Sequence, residues 1–292
     1  MDGTIYSLLF EESLYLPLNL RSRYSLIRLG EIMFIETISY SKSSTFSQCK
    51  LKYKYKYVER LRGDKPRNED SLKFGSYIHK ILEDGVEAKC LKDLQIIAEQ
   101  HKKSYKIPFS YKERTNRCLS NFLNFNGKLE ETVATELIYE VILDKKSNIK
   151  QNGIIDRVIK GKNGGYLIID YKTSKREKNK YELYKDKQLQ SYCFAISEQF
   201  KVPIDKIVCA HYYPVTGHFV DVKYSRPAIA QWKREELEKI WHIRKSKSLD
   251  LIASENQFCN WCEYHDMCPL FVPCEHMKKR IDEQKKLKPK KR

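Results

Sequence analysis

The sequence predicts an α/β protein. A central mixed β-sheet is flanked by helices, with a helical insertion ahead of the sheet and a small cysteine-rich module at the C-terminal end. Three observations lead there. Segments from Ser41 to about residue 125 carry helical spacing. Segments 133–143, 150–159 and 165–171 are β-branched and apolar, separated by Asp-Lys-Lys-Ser-Asn and Gly-Lys-Asn-Gly-Gly turns, which reads as a three-stranded meander. Cys259, Cys262 and Cys268 then stand together near the end of the chain.

Taken in order, residues 1–35 are hydrophobic but follow neither a helical nor a strand period, so they read as a peripheral extension. Met33, just before the first well-patterned segment, is an alternative start. Ser41 or Ser43 is the expected N-cap of a helix running towards Tyr57. The alternation Lys52-Tyr53-Lys54-Tyr55-Lys56-Tyr57 suits a strand equally well by period. Residues 71–89 read as a helix with Phe74, Ile78, Ile81 and Leu82 on one face, followed by helices over 91–105 and 111–125. After the meander come a helix over 180–200, a strand pair over 206–213 and 217–224, and a long charged helix over 227–247. No repeat and no long linker divides residues 36–275, which are expected to form one domain; residues 276–292 read as a basic disordered tail.

Composition narrows the partner. Lys and Arg outnumber Asp and Glu by 55 to 38, a formal charge of +17, which suits a polyanion: a nucleic acid or an anionic membrane surface. No apolar run approaches the ~20 residues of a membrane span, and the N-terminus lacks the basic flank and cleavage site of a signal peptide. A soluble, cytoplasmic protein is expected. Nine cysteines in a reducing compartment are then free thiols or metal ligands rather than disulfides.

The most informative residues lie on the meander. Asp156 ends Gly153-Ile154-Ile155-Asp156, and Asp170 and Lys172 follow Leu167-Ile168-Ile169 on the next strand. One hairpin separates the two acids, so antiparallel pairing brings them to one end of the sheet, and Asp170 and Lys172, two apart, share a face. Two carboxylates and a lysine at one point suit divalent-metal phosphodiester hydrolysis: hard oxygen ligands hold the ion, and the cation orients water or steadies the transition state. A surface ion pair is the commoner meaning of Asp-x-Lys, but acids embedded in apolar runs are costly there without partners. Glu136, on the first strand, is a weaker candidate for lining the same site, and Glu83 for supporting it.

Gly-Ile-Ile-Asp-Arg followed by Ile-Asp-Tyr-Lys-Thr resembles motifs II and III of RecB-type PD-(D/E)XK nucleases, a group that includes the nucleases of CRISPR adaptation. Phe74-Gly75 through His79 resembles that family's Gly-x-x-x-His helix, Gln188 through Tyr192 its Gln-x-x-x-Tyr helix, and Ser41-Lys42-Ser43 through Cys49 its N-terminal segment. The resemblance spans roughly residues 38–272 with the motifs in the family's order. It implies a restriction-endonuclease-like core acting on DNA, most simply as an exonuclease on single strands or duplex ends, in recombination, repair, phage DNA metabolism or CRISPR adaptation alongside other proteins of those pathways. By the same likeness His79, Asp156, Asp170 and the backbone carbonyl of Tyr171 would bind Mg²⁺ or Mn²⁺, Lys172 would be the catalytic lysine, and Gln188 and Tyr192 would support it.

The Cys-x2-Cys-x5-Cys spacing of Cys259, Cys262 and Cys268 is a metal-binding signal that needs a fourth ligand. Cys274 would complete a local zinc site. Cys49 would complete the one-plus-three arrangement of iron–sulfur nucleases, and the resemblance favours a [4Fe-4S] cluster on Cys49, Cys259, Cys262 and Cys268. Cys90, Cys118, Cys193 and Cys209 are expected in the core. Lys50 to Arg62 interleaves cations with tyrosines, and Met277 to Arg292 holds nine basic and two acidic residues; both suit phosphate contacts without sequence preference. Two other readings stay open: a DNA-binding scaffold with a silent site, and a zinc-stabilised RNA-binding protein.

Overall fold

A computed structural model describes residues 27–29, 32–34, 37–64, 69–246 and 251–286. Most of the 1–35 extension, with the question of its start, and residues 287–292 of the tail lie outside the described residues.

Backbone segments β1 (Ile27–Leu29) and β2 (Ile32–Phe34) pair antiparallel, ahead of a separate six-stranded sheet. That sheet comprises β3 (Thr37–Ser39), β4 (Thr132–Asp144), β5 (Ile149–Lys160), β6 (Tyr166–Tyr171), β7 (Ile207–Tyr213) and β8 (His218–Val222). It is mixed: β5 runs antiparallel to β4 and β6 and parallel to β3, β6 is parallel to β7, and β7 is antiparallel to β8.

Strand β5 forks. One edge pairs with β4 along most of its length. On the other edge, Lys150–Asn152 bond to β3 and Arg157–Lys160 bond to β6. Residues 153–156 fall between the two partners, and Asp156 stands at the point of divergence.

Helices cover both faces. Helices α3 (Glu69–Asp84), α4 (Leu91–Tyr105) and α5 (Lys112–Asn126) form the insertion and share one core with Ile159, Ile169, Tyr171 and Tyr212. Helices α1 (Tyr40–Gln48), α6 (Lys180–Tyr184), α7 (Lys187–Phe200) and α8 (Arg226–Lys245) pack on the opposite face around Ile155, Val158, Ile168 and Cys209. Consecutive residues Ile168 and Ile169 thus face different cores, as strand alternation requires. Phe74, Tyr77, Ile78, Ile81 and Leu82 of α3 are buried. At roughly 1.5–3 kcal/mol for each large apolar side chain, packing fixes this helix firmly against the sheet.

Several boundaries differ from expectation. The cap of α1 is Ser39, whose Oγ accepts the Lys42 N–H at 3.3 Å, in place of Ser41 or Ser43. The helix then breaks at Cys49 and resumes as α2 (Lys50–Tyr53) and a π-helical turn over Lys54–Val58. The expected 180–200 helix is split because Asp186 caps a fresh start, accepting the N–H groups of Gln188 and Leu189 at 2.9 and 3.1 Å. Cys90 is an exposed residue preceding α4 and not a core residue, whereas Cys118, Cys193 and Cys209 are buried. Of the tail expected to be disordered over 276–292, residues up to 286 belong to α9 (Cys274–Lys286). There Arg280 pairs with Asp64 at 2.8 Å and Ile281 packs against the cysteine module.

Candidate active site

Asp156 sits where β5 leaves β6, and its carboxylate takes over from the ladder: Oδ2 accepts the Tyr171 N–H at 2.7 Å. This anchors the side chain at the opening of the fork. Helix α3 brings His79 over it, with Nδ1 3.4 Å from the same Oδ2. The helix passes close to the segment after β6 at Gly75, where a Cβ would lie 3.2 Å from Thr173 Oγ1.

Across the ribbon, Thr135 pairs with Arg157 and Leu137 with Ile155, so Glu136 stands opposite Asp156. Glu136 adopts φ +47°, a left-handed conformation that costs a glutamate about 1–2 kcal/mol. Strain held inside a strand is a mark of function. Ligand atoms of His79, Glu136 and Asp156 all lie within 4.8 Å of one another, a grouping that can hold a metal ion.

The charges within this group act on one another. Burial raises the Glu136 pKa above the ordinary glutamate range, and the charges of Asp156 and Glu83 push it the same way. Burial alone would lower that of His79, but the hydrogen bond and charge of Asp156 raise it above the usual histidine value. Glu83 itself pairs with Lys80 at 3.0 Å.

Asp170 lies beside this group, buried at the end of β6 and turned towards Lys172, whose Nζ is 2.5 Å from Oδ2. It falls outside the 4.8 Å cluster. Burial drives its pKa up to about 6 against the opposing charge of Lys172. Lys172 Nζ also donates to Gln188 Oε1 at 3.1 Å, and Gln188 Nε2 donates to Tyr192 Oη at 2.7 Å. One amide thus holds both the lysine and the tyrosine, and the spacing of four on α7 permits it. Tyr171 contributes its amide to Asp156 and its ring to the core, edge-on to His79.

Two groups behind Asp170 escaped the sequence reading. His211, the β7 neighbour of Asp170 in register, is fully buried, with Nε2 3.5 Å from Asp170 Oδ2 and 3.9 Å from Asp186 Oδ2. Tyr213 Oη accepts the Lys178 N–H at 2.9 Å and lies 3.3 Å from His211 Nδ1. Burial lowers the His211 pKa to about 4 and keeps it neutral. Asp186 is the second, held by Lys178 at 2.5 Å. A lone histidine within the apolar run Ile207-Val-Cys-Ala-His-Tyr-Tyr was the available signal.

A second constellation lies apart from the first. Cys49, Cys259, Cys262 and Cys268 line one pocket with Lys52, Asn256, Phe258 and His265. Backbone N–H groups already point at two of the sulfurs: Lys52 N lies 3.5 Å from Cys49 Sγ and Asn256 N lies 3.3 Å from Cys259 Sγ. Cys274 is exposed at the start of α9 and is not among the residues of that pocket.

The crystal structure of SSO0001 is 17% identical, with a TM-score of 0.36 over 69% of this chain and 98% of that one. No curated protein matches the sequence. A family model described as the PD-(D/E)XK nuclease superfamily matches residues 37–269, which include every residue of the centre. Nucleases of this superfamily are phosphodiester hydrolases that use divalent metal ions, and this chain belongs to it.

Proposed function

We propose that the protein is a metal-dependent DNA exonuclease of the RecB-like branch, acting on single strands or duplex ends and carrying a [4Fe-4S] cluster. The observation that carries the nuclease reading is the convergence of His79, Glu136 and Asp156 within 4.8 Å, beside the Lys172–Asp170 pair. Two carboxylates and an imidazole are suitable donors for Mn²⁺ or Mg²⁺. Asp170 and the Tyr171 carbonyl would complete the set. A bound divalent ion supplies a more acidic water and neutralises charge on the phosphate.

The chain's own groups perform the rest. Asp156 is held still by the Tyr171 amide, and His79 by a helix whose apolar face is buried. Lys172 stays cationic because the neighbouring Asp170 offsets its burial. From its place beside Asp170 it can orient a water or meet charge developing on the phosphate, while Gln188 limits its swing. An excess of 17 positive charges favours DNA, and the exonuclease mode rests on the resemblance to RecB-type enzymes.

For the second group, four cysteines around one pocket fit a cluster that ties the α1–α2 junction to the C-terminal module.

The deciding experiment is cleavage of end-labelled single- and double-stranded DNA with Mn²⁺, Mg²⁺ or EDTA, comparing wild type with Asp170→Ala and Lys172→Ala. Metal-dependent degradation lost in both variants is expected. Tight binding without cleavage by wild type would leave a scaffold instead. Iron analysis and absorbance near ~400 nm decide the cluster.

A further inference from the structure

The β4–β5 ribbon carries an apolar feature beside the centre that packing does not explain. Ile138 and Ile154 are direct cross-strand partners, yet Ile138 is 75% exposed and Ile154 47%. Their strand neighbours Tyr139 and Ile155 are buried in the core, so the pair is presented away from it. In the same register Glu136 faces Asp156, two residues along each strand. At about 3.4 Å per residue, the isoleucines stand about 7 Å from the carboxylate row. Single exposed apolar residues are ordinary. Two β-branched side chains side by side, next to strained Glu136 in a chain with 32% charged residues, form a small exposed apolar ledge beside the carboxylate row.

We propose that Ile138 and Ile154 form a binding ledge for the face of the nucleobase next to the scissile phosphate, and that it selects unpaired strands. This rests on the nuclease reading and names the residues that would meet the base of its single-stranded substrate. The occupant follows from chemistry. A polynucleotide whose phosphate reaches His79, Glu136 and Asp156 must place a neighbouring sugar and base within one nucleotide's reach, where the ledge lies. In a duplex the base faces are stacked on their neighbours and closed to a side chain; a single strand or frayed end offers them. The ledge carries no hydrogen-bonding group, so the contact is blind to sequence.

The test is the double variant Ile138→Ser/Ile154→Ser beside Ile138→Leu/Ile154→Leu, each compared with wild type in Mn²⁺. Exposed positions tolerate both changes, and unaltered melting temperatures verify it. The serine variant should raise KM for single-stranded DNA about fivefold, the lower end of what a lost base contact costs. It should leave hydrolysis of bis(p-nitrophenyl) phosphate, which has no base, unchanged, and the leucine variant should keep the wild-type KM. A 2-aminopurine at the nucleotide beside the cleaved bond should change fluorescence on binding wild type and not the serine variant. An unchanged KM for DNA, or parallel loss on both substrates, would overturn the ledge while leaving the nuclease intact. A change of oligomeric state in place of KM would assign the isoleucines to a second copy of the chain and overturn it too. Failure of wild type to hydrolyse either substrate would sink the nuclease reading, and the ledge with it.

Discussion

Asp170→Asn should make the metal-free protein more stable while abolishing its activity. The carboxyl is buried beside Lys172 and His211, and its pKa rises from an ordinary 3.8 to about 6. At 1.36 kcal/mol per tenfold change in acidity, the folded protein bears a cost of about 3 kcal/mol for keeping Asp170 ionised at pH 8. The rise remains after the attraction of Lys172 is included, so the ion pair does not cancel it. Asparagine removes the charge but keeps a polar group in the same place, and Lys172, with 32% of its side chain exposed, retains Gln188. A gain of about 1–3 kcal/mol follows, or about 2–6 °C in melting temperature for a chain of this size. The pH dependence has a definite sign: between 3.8 and about 6 the folded state holds the proton more tightly than the unfolded chain, so this cost grows as pH rises through that window. The advantage of the variant should therefore be full at pH 8, about half at pH 5 and nearly gone by pH 4. Thermal melting in EDTA measures it, and repeating the scans in Mn²⁺ separates the roles: saturating metal should stabilise wild type by about 2.7 kcal/mol at a hundredfold excess over Kd and the variant far less. A lower melting temperature for the variant in EDTA at pH 8, or a margin that does not shrink on acidification, refutes the reasoning.

Apparent Mn²⁺ affinity should fall as pH drops. The first loss comes as His79, whose pKa is raised, takes a proton; a steeper one follows below about 6, when Asp170 does. Calorimetric titrations from pH 8 to 5 test this, and a flat profile counts against both as ligands. Cys49→Ala should strip iron and the ~400 nm band from the purified protein while Cys274→Ala keeps both; the reverse pattern would place the fourth ligand at Cys274. Gly153→Ala sets a Cβ 2.6 Å from Tyr139 Oη and 2.8 Å from its ring carbons, so urea melts should show a loss of about 1–3 kcal/mol. A loss below about 0.5 kcal/mol would mean the ribbon shifts freely around the motif.

The meander and its chemistry were legible because both are local. Strand period and turn residues located β4, β5 and β6 within a residue or two, and one hairpin sufficed to place Asp156 near Asp170. His79 was readable only through its helix motif, since nothing in spacing says which strand end α3 crosses. Glu136 was underrated for a related reason. Its place opposite Asp156 depends on the β4–β5 register, and its left-handed φ is invisible in a run of strand-forming residues. His211 and Asp186 were missed because His211 meets Asp170 from β7 and Asp186 meets His211 from the start of α7, elements brought in by a parallel crossover.

The segment Leu51–Tyr57 shows how a periodic signal can be correct in its data and wrong in its conclusion. Leu51, Tyr53, Tyr55 and Tyr57 are all buried, as a period of two would require of a strand. They are nevertheless helical, because the helix is buried on two sides. Tyr53 and Tyr57, four apart, enter the main core, while Leu51 and Tyr55, also four apart, enter the cysteine module with Tyr264 and Met267. Two helical stripes offset by two residues add up to an apparent alternation, with the lysines left at the flanks between them. The tyrosines are accordingly unavailable to stack on bases, and the interleaved cations do not mark an aromatic nucleic-acid platform. Their burial does explain why Cys49, at the head of this helix, faces three cysteines more than two hundred residues away: Tyr55 Oη donates to the Met267 carbonyl at 3.2 Å and Tyr264 Oη to that of Leu61 at 3.1 Å. The module is stapled to the nuclease core by these contacts as well as by any cluster. Loss of the proposed cluster should therefore loosen the C-terminal module first, and reach the candidate metal centre only through the α1–α2 junction.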